Sequence, residues 1–267
     1  MQRSRRWGLA IVLILTLTAF MVQYLQEKLI FLPTQLPKSY EFSFSVPHEE
    51  LFLESTDGAL LNALHFKTEK ARGTVLYFHG NAGDLSRWGE IAAFFVKLRF
   101  NVIVMDYRTY GKSTGKLSET ALYADAQLFY EYTKKHCDEH EIVIYGRSLG
   151  CSIATHLASK NKPRQLILET PFYNLQDVAQ QRFPFLPVKA LLRYKMESDR
   201  YIQNVTCPIT IFHGTDDSVV PYDSGKRLFE SIPKGQKKFY TIIGGEHNNL
   251  VQFEAYLDGI REVLLVE

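Results

Sequence analysis

The chain has little that would commit it to a metal, to nucleic acid or to a disulfide scaffold. It holds only three cysteines, Cys137, Cys151 and Cys207. An odd number makes a poor disulfide framework, though one bridge stays open to it in an oxidising compartment, and the spacings suit no metal site. The plain reading is three small, buried thiols. Charge of either sign is not in excess: 31 Lys and Arg face 29 Asp and Glu, for a net +2. That balance leaves no electrostatic footprint for nucleic acid as a partner. Repeats and low-complexity tracts are missing too. What remains is ordinary, 46% hydrophobic and 22% charged, which excludes a disordered or fibrous chain. At 267 residues there is enough chain for one large α/β domain with a full core.

One further absence is local. No charged residue falls between Trp7 and Gln26, and Arg3, Arg5 and Arg6 stand in front of that run. About 20 residues of helix cross a hydrocarbon layer. A cleaved signal peptide needs a small-x-small site, but Leu17 stands two positions before Ala19. A twin-arginine signal is also disfavoured, by Gly8 after the arginines. The run therefore predicts an uncleaved signal anchor over residues 1–28, with the N-terminus cytoplasmic and the rest of the chain across the membrane. Residues 29–48, with Pro33 and Pro37, read as a linker that hugs the domain or the lipid surface.

From residue 49 to the C-terminus the pattern is regular. Leu51–Glu54 and Leu60–Phe66 flank Asp57-Gly58 as a hairpin. Short apolar runs follow at residues 74–78, 102–105, 142–145, 165–168, 209–212 and 239–243. They alternate with helical stretches at residues 87–98, 120–134, 149–159, 224–232 and 249–263. In the second of these, Ala121, Ala124, Leu128 and Tyr132 recur at helical spacing and are expected to face the sheet. Strands apolar on both faces suit a parallel sheet covered by helices on both sides, whose sites lie at the carboxyl ends of the strands. Residues 171–206, rich in aromatics and too long for a simple crossover, predict a small helical cap.

The chemistry gathers at those strand ends. Gly146-Arg147-Ser148-Leu149-Gly150 stands between a strand and a helix with small residues on its first turns, the context that makes G-x-S-x-G a nucleophile elbow. His213-Gly214-Thr215-Asp216-Asp217 follows another strand, and Gly244-Gly245-Glu246-His247 follows the last. Ser148, Asp217 and His247 thus stand in the chain order of an α/β-hydrolase triad. Asp217 is preferred to Asp216 as the acid by its place between Gly214 and Pro221. His79-Gly80-Asn81-Ala82-Gly83 is placed to aim the Asn81 backbone N–H at an oxyanion, with the Leu149 N–H as second donor. His79 and His213 read as structural, Glu169 as a partner for Arg147, and Asp84, Asp106 and Arg108 as loop braces. His136 and His140, at i and i+4, are a weak metal pattern at a helix-to-strand handover.

These motifs, with Asp106-Tyr107-Arg108-Thr109-Tyr110-Gly111-Lys112-Ser113, Thr170-Pro171-Phe172 and Phe183-Pro184-Phe185-Leu186-Pro187, resemble the Bem46-like branch of the α/β-hydrolases. The resemblance spans about Leu51 to the C-terminus, and many members share an N-terminal anchor. Thr109 stands where the family pattern has glycine, and Asn249 where aspartate is common. It implies an esterase, thioesterase or lipid hydrolase, with some relatives removing acyl groups from membrane proteins. The expected reaction is a two-step acyl transfer through Ser148 on an acylated or lipid-like substrate, with no metal or organic cofactor. A peptidase of the prolyl-oligopeptidase or aminopeptidase type is the nearest alternative. It would want cap acids such as Glu197 and Asp199, which Lys189, Arg193, Lys195 and Arg200 offset. A catalytically inactive, membrane-tethered binding module is the alternative from another class.

Overall fold

The computed structural model describes residues 7–8, 16, 25–233 and 235–265. The expected anchor lies almost wholly outside the described residues, and among these no helix is long and apolar enough to cross a membrane.

Residues 25–30 are helical (α1) and lead into a two-residue strand, Leu32–Pro33 (β1). The expected hairpin is β2 (His48–Glu54) and β3 (Leu60–Phe66), antiparallel, with Leu53 opposite Leu61. Gly58 takes its turn at φ 80°, a backbone region open to glycine at no steric cost. Next come β4 (Thr74–Phe78), β5 (Ala82–Gly83), α2 (Leu85–Ala92), α3 (Phe94–Lys97) and β6 (Asn101–Met105). After them follow α4 (Glu119–Lys134), β7 (Ile142–Arg147), α5 (Leu149–Ala158) and β8 (Gln165–Glu169). The chain then makes α6 (Leu175–Arg182), α7 (Val188–Leu191) and α8 (Ser198–Tyr201), and closes with β9 (Ile209–Gly214), α9 (Tyr222–Glu230), β10 (Lys237–Ile242) and α10 (Glu254–Leu265).

Eight strands form one sheet in the order β10-β9-β8-β7-β4-β6-β3-β2, and only the two pairings of β3 are antiparallel. The central strands β4, β7, β8 and β9 are buried along their whole length, as expected of runs apolar on both faces. Helices α4, α5 and α9 cover one face, and α2, α3 and α10 the other, so two apolar cores sandwich the sheet. The long interval after β8 holds three short helices: α6 lines a cavity with Ser148, and Tyr201 of α8 packs against Tyr123 and His156.

One expectation is corrected. On α4 the buried stripe is Leu122, Asp125, Ala126, Phe129, Tyr130 and Thr133, not Ala121, Ala124, Leu128 and Tyr132. The reason is Asp125, which is fully buried because Arg108 donates to both of its oxygens, at 2.7 and 2.9 Å. A hydrophobicity pattern places a carboxylate outward, and here it turns in to meet a buried cation.

Candidate active site

Ser148 ends β7 and opens α5 at φ 51°, ψ −115°, in a region that a β-carbon disfavours. Both flanks are held. The Ser148 N–H donates to the Glu169 carbonyl and the Cys151 N–H to the Ser148 carbonyl, each at 2.9 Å. The turn needs glycine on either side: a β-carbon on Gly150 would lie 2.1 Å from the Phe78 carbonyl oxygen, and one on Gly146 2.7 Å from the Cys151 Cα. Oγ is thereby lifted to the carboxyl edge of the sheet.

The loop after β10 brings His247 to that edge, 9% exposed. Its Nε2 is 2.9 Å from Ser148 Oγ and its Nδ1 2.7 Å from Asp217 Oδ2. Asp217 stands after β9, where Oδ1 accepts the N–H groups of Val219 (2.9 Å) and Val220 (2.8 Å). Burial on its own raises the Asp217 carboxyl. Hydrogen bonds from His213 and His247 outweigh it and hold the group well below the ordinary carboxylate range. An ionised Asp217 keeps the imidazole proton on Nδ1, so Nε2 offers its lone pair to the serine hydroxyl.

The alternative acids are engaged elsewhere. Asp216 is exposed and accepts from the Thr215 hydroxyl at 2.8 Å. Glu169 lies 3.3 Å from Arg147 Nε and also receives the Tyr145 hydroxyl. Arg147 in turn donates to Asn248 Oδ1 at 3.2 Å, tying the elbow to the His247 loop.

Asn81 and Leu149 line one cavity with Ser148. As the first residue of α5, Leu149 has an N–H without an intrahelical partner. The Asn81 peptide is fixed from behind: its carbonyl accepts the Tyr110 hydroxyl at 2.6 Å and the Leu32 N–H at 2.8 Å. His79 is fully buried beneath this loop, where its Nδ1 lies 2.6 Å from the Gly80 carbonyl and its ring stacks on Trp88. It is structural, as read from the sequence. Asn249 Oδ1 accepts the Glu246 N–H at 2.7 Å and braces the His247 loop.

Three supports escaped sequence reasoning. The hydroxyls of Tyr107 and Tyr110 hold the carbonyls of His79 and Asn81, but no spacing tells where a hydroxyl points. His213 sits 3.3 Å from Asp217 Oδ2, a second imidazole on the same carboxylate. The pairing of β1 with β5 is two residues long and includes a proline, too short for any periodicity to register.

Ser148 lies between two unlike spaces. On one side is a cavity of about 200 Å³ whose walls include Leu29, Ile30, Phe172, Leu175 and Val220. On the other is a cleft of about 270 Å³ bordered by Arg87, Arg147, Asn248 and His247. Among the described residues lining either space, none is acidic.

The strand order and the constellation on its carboxyl edge define an α/β-hydrolase. A family model described as "Serine aminopeptidase, S33" (Hydrolase_4) matches residues 69–197. Protein bem46 of Schizosaccharomyces pombe is 31% identical over 270 residues, covering 94% of this chain and 90% of that protein. Within its class, then, the chain belongs to the Bem46-like family. Lysophosphatidylserine lipase ABHD12 of Danio rerio is 31% identical over 186 residues, covering 61% of this chain and 48% of that protein. Among solved structures, a Pyrococcus furiosus esterase, Pf2001, superposes with a TM-score of 0.70 at 19% identity, covering 88% of this chain and 97% of that one.

Proposed function

We propose that the protein is a serine esterase that cleaves a carboxylic ester or thioester bearing an apolar acyl group. The observation that carries this reading is the single imidazole spanning Ser148 Oγ at 2.9 Å and Asp217 at 2.7 Å, at the mouth of an apolar cavity. Ser148 attacks the carbonyl carbon while His247 takes its proton, and Asp217 stabilises the imidazolium. The Asn81 and Leu149 N–H groups receive the oxyanion, each worth about 3–4 kcal/mol in the transition state. The imidazolium protonates the leaving group. His247 then activates water, which releases the acid from Ser148. The lysophosphatidylserine for which the ABHD12 relative is named fits this division, with the acyl chain in the apolar cavity and an anionic head beside Arg87 and Arg147. The uncharged run behind Arg3, Arg5 and Arg6 supports work at a membrane with the domain on the extracytoplasmic side.

The peptidase alternative needs a carboxylate to hold a substrate amine. Glu197 is instead paired with Arg200 at 2.9 Å and lines neither space at Ser148. A fluorophosphonate probe is expected to label the wild-type protein and leave Ser148→Ala unlabelled. Equal labelling of both would remove Ser148 from the nucleophile's role.

A further inference from the structure

A second cavity, of about 310 Å³, adjoins the apolar one at Ser148. The two share Leu29, Ile30, Ala179, Phe183 and Leu192 as lining, so they abut along one seam. One side of that seam is the cap, through α6 and the residues around α7. The other is α1, residues 25–30, whose first two residues end the uncharged N-terminal run. Among the described residues, the only polar side chain lining the outer cavity is Gln26, and its amide is turned onto the cap backbone. Gln26 Oε1 accepts the Arg193 N–H at 2.7 Å. The next residue, Glu27, accepts from the Tyr194 hydroxyl at 2.7 Å and pairs with Arg193 at 2.9 Å. Helix α1 is therefore fastened to the cap by its polar side chains, while Leu25, Leu29 and Ile30 face the two cavities.

We infer that α1 is part of the substrate site: with the cap it walls a continuous acyl channel from Ser148 through the inner cavity into the outer one, and Leu29 at the seam selects for chain length. This rests on the esterase reading and names the substrate class for it, a long unbranched acyl ester. A short acyl group ends in the inner cavity. A long one crosses the seam and buries its distal methylenes against Leu25 and Leu186, where Gln26, the only polar side chain among the described residues lining the cavity, is already engaged with the cap backbone. Each methylene so buried raises kcat/KM about fourfold, the equivalent of about 0.8 kcal/mol. Leu29 is 65% exposed, which makes it a lip that can be altered without opening the core.

The test compares p-nitrophenyl butyrate with p-nitrophenyl palmitate, using the full-length protein in one detergent. The wild type should prefer palmitate. Leu29→Trp, which fills the seam, should lower the ratio of kcat/KM for palmitate to that for butyrate by more than about tenfold, the worth of two buried methylenes; because Leu29 also lines the inner cavity, butyrate falls too, but by less. Leu25→Ser, farther along the channel, should lose palmitate activity in the same selective way. All three proteins should still be labelled at Ser148 by fluorophosphonate, which shows that the nucleophile is intact. A wild type without chain-length preference, or a Leu29→Trp protein that lowers both esters by the same factor or changes neither, overturns the channel and leaves the esterase intact. A wild type that neither turns over butyrate nor takes the label overturns the esterase reading, and the channel with it.

Discussion

Thr109 holds a conformation that its side chain resists. It sits at φ 73° in the loop after β6, the left-handed region, which for an L-residue costs about 1–2 kcal/mol. The family pattern puts glycine there. Its neighbour Tyr110 donates its hydroxyl to the Asn81 carbonyl, so the strain is stored one residue from that support. Thr109→Gly should therefore raise stability by about 0.5–1 kcal/mol, after allowance for the extra freedom glycine gives the unfolded chain. The urea midpoint measures it, and a midpoint that falls would show the threonine side chain to be stabilising the loop. At this scale the sequence was partly readable. Identity and order marked Ser148, Asp217 and His247, and the fold brings the three within hydrogen-bond distance at the strand ends. The side chains that steady them carried no such mark: a tyrosine hydroxyl under a carbonyl looks, in one dimension, like any core aromatic.

Secondary-structure elements were the most legible level. All six apolar runs are strands, shifted by no more than a residue or two at their ends; four are buried along their whole length and have no exposed position to blur them, while the edge strand β10 begins two residues early, at Lys237 and Lys238. The helices were found as well, except that the stretch read as residues 87–98 breaks at Ala93 into α2 and α3, and the stretch read from residue 249 opens as a 3-10 turn, Leu250–Gln252, before α10 starts at Glu254. The facing of α4 was misjudged for one reason, the buried Arg108–Asp125 pair. The junction of β7 and α5 leaves no room for a larger residue. With 2.1 Å between a β-carbon at position 150 and the Phe78 carbonyl oxygen, Gly150→Ala must push α5 off β4. The expected cost is about 1–3 kcal/mol, with a loss of fluorophosphonate labelling at Ser148. A stable, fully labelled Gly150→Ala protein would mean that the elbow can relax.

For the molecule as a whole, acid is the natural probe. His65 and His156 are each pushed down to about 4, chiefly by burial and further by nearby lysines, Lys67 and Lys160 respectively. Unfolded, both have the ordinary value near 6.5. Between about pH 6.5 and about pH 4 the unfolded chain therefore binds more protons than the folded one, and stability should fall as pH drops through that window. Asp217 acts in a different window. Its depressed carboxyl favours the folded state above the ordinary carboxylate range and withdraws that support only at still lower pH. Replacing His65 and His156 with glutamine should flatten the decline between pH 6.5 and 4, as read from urea midpoints at several pH values. An unchanged slope would place the sensitivity elsewhere.

The short pairing of β1 with β5 has a practical corollary. The tidy place to trim the polypeptide is residue 49, where the regular sequence pattern begins. That cut discards the Leu32 N–H that steadies Asn81 and the Phe31 ring, 3% exposed, that plugs the core beside Tyr194. Such a fragment would keep every residue named in its motifs and still be a blunted enzyme, easily mistaken for an inert one.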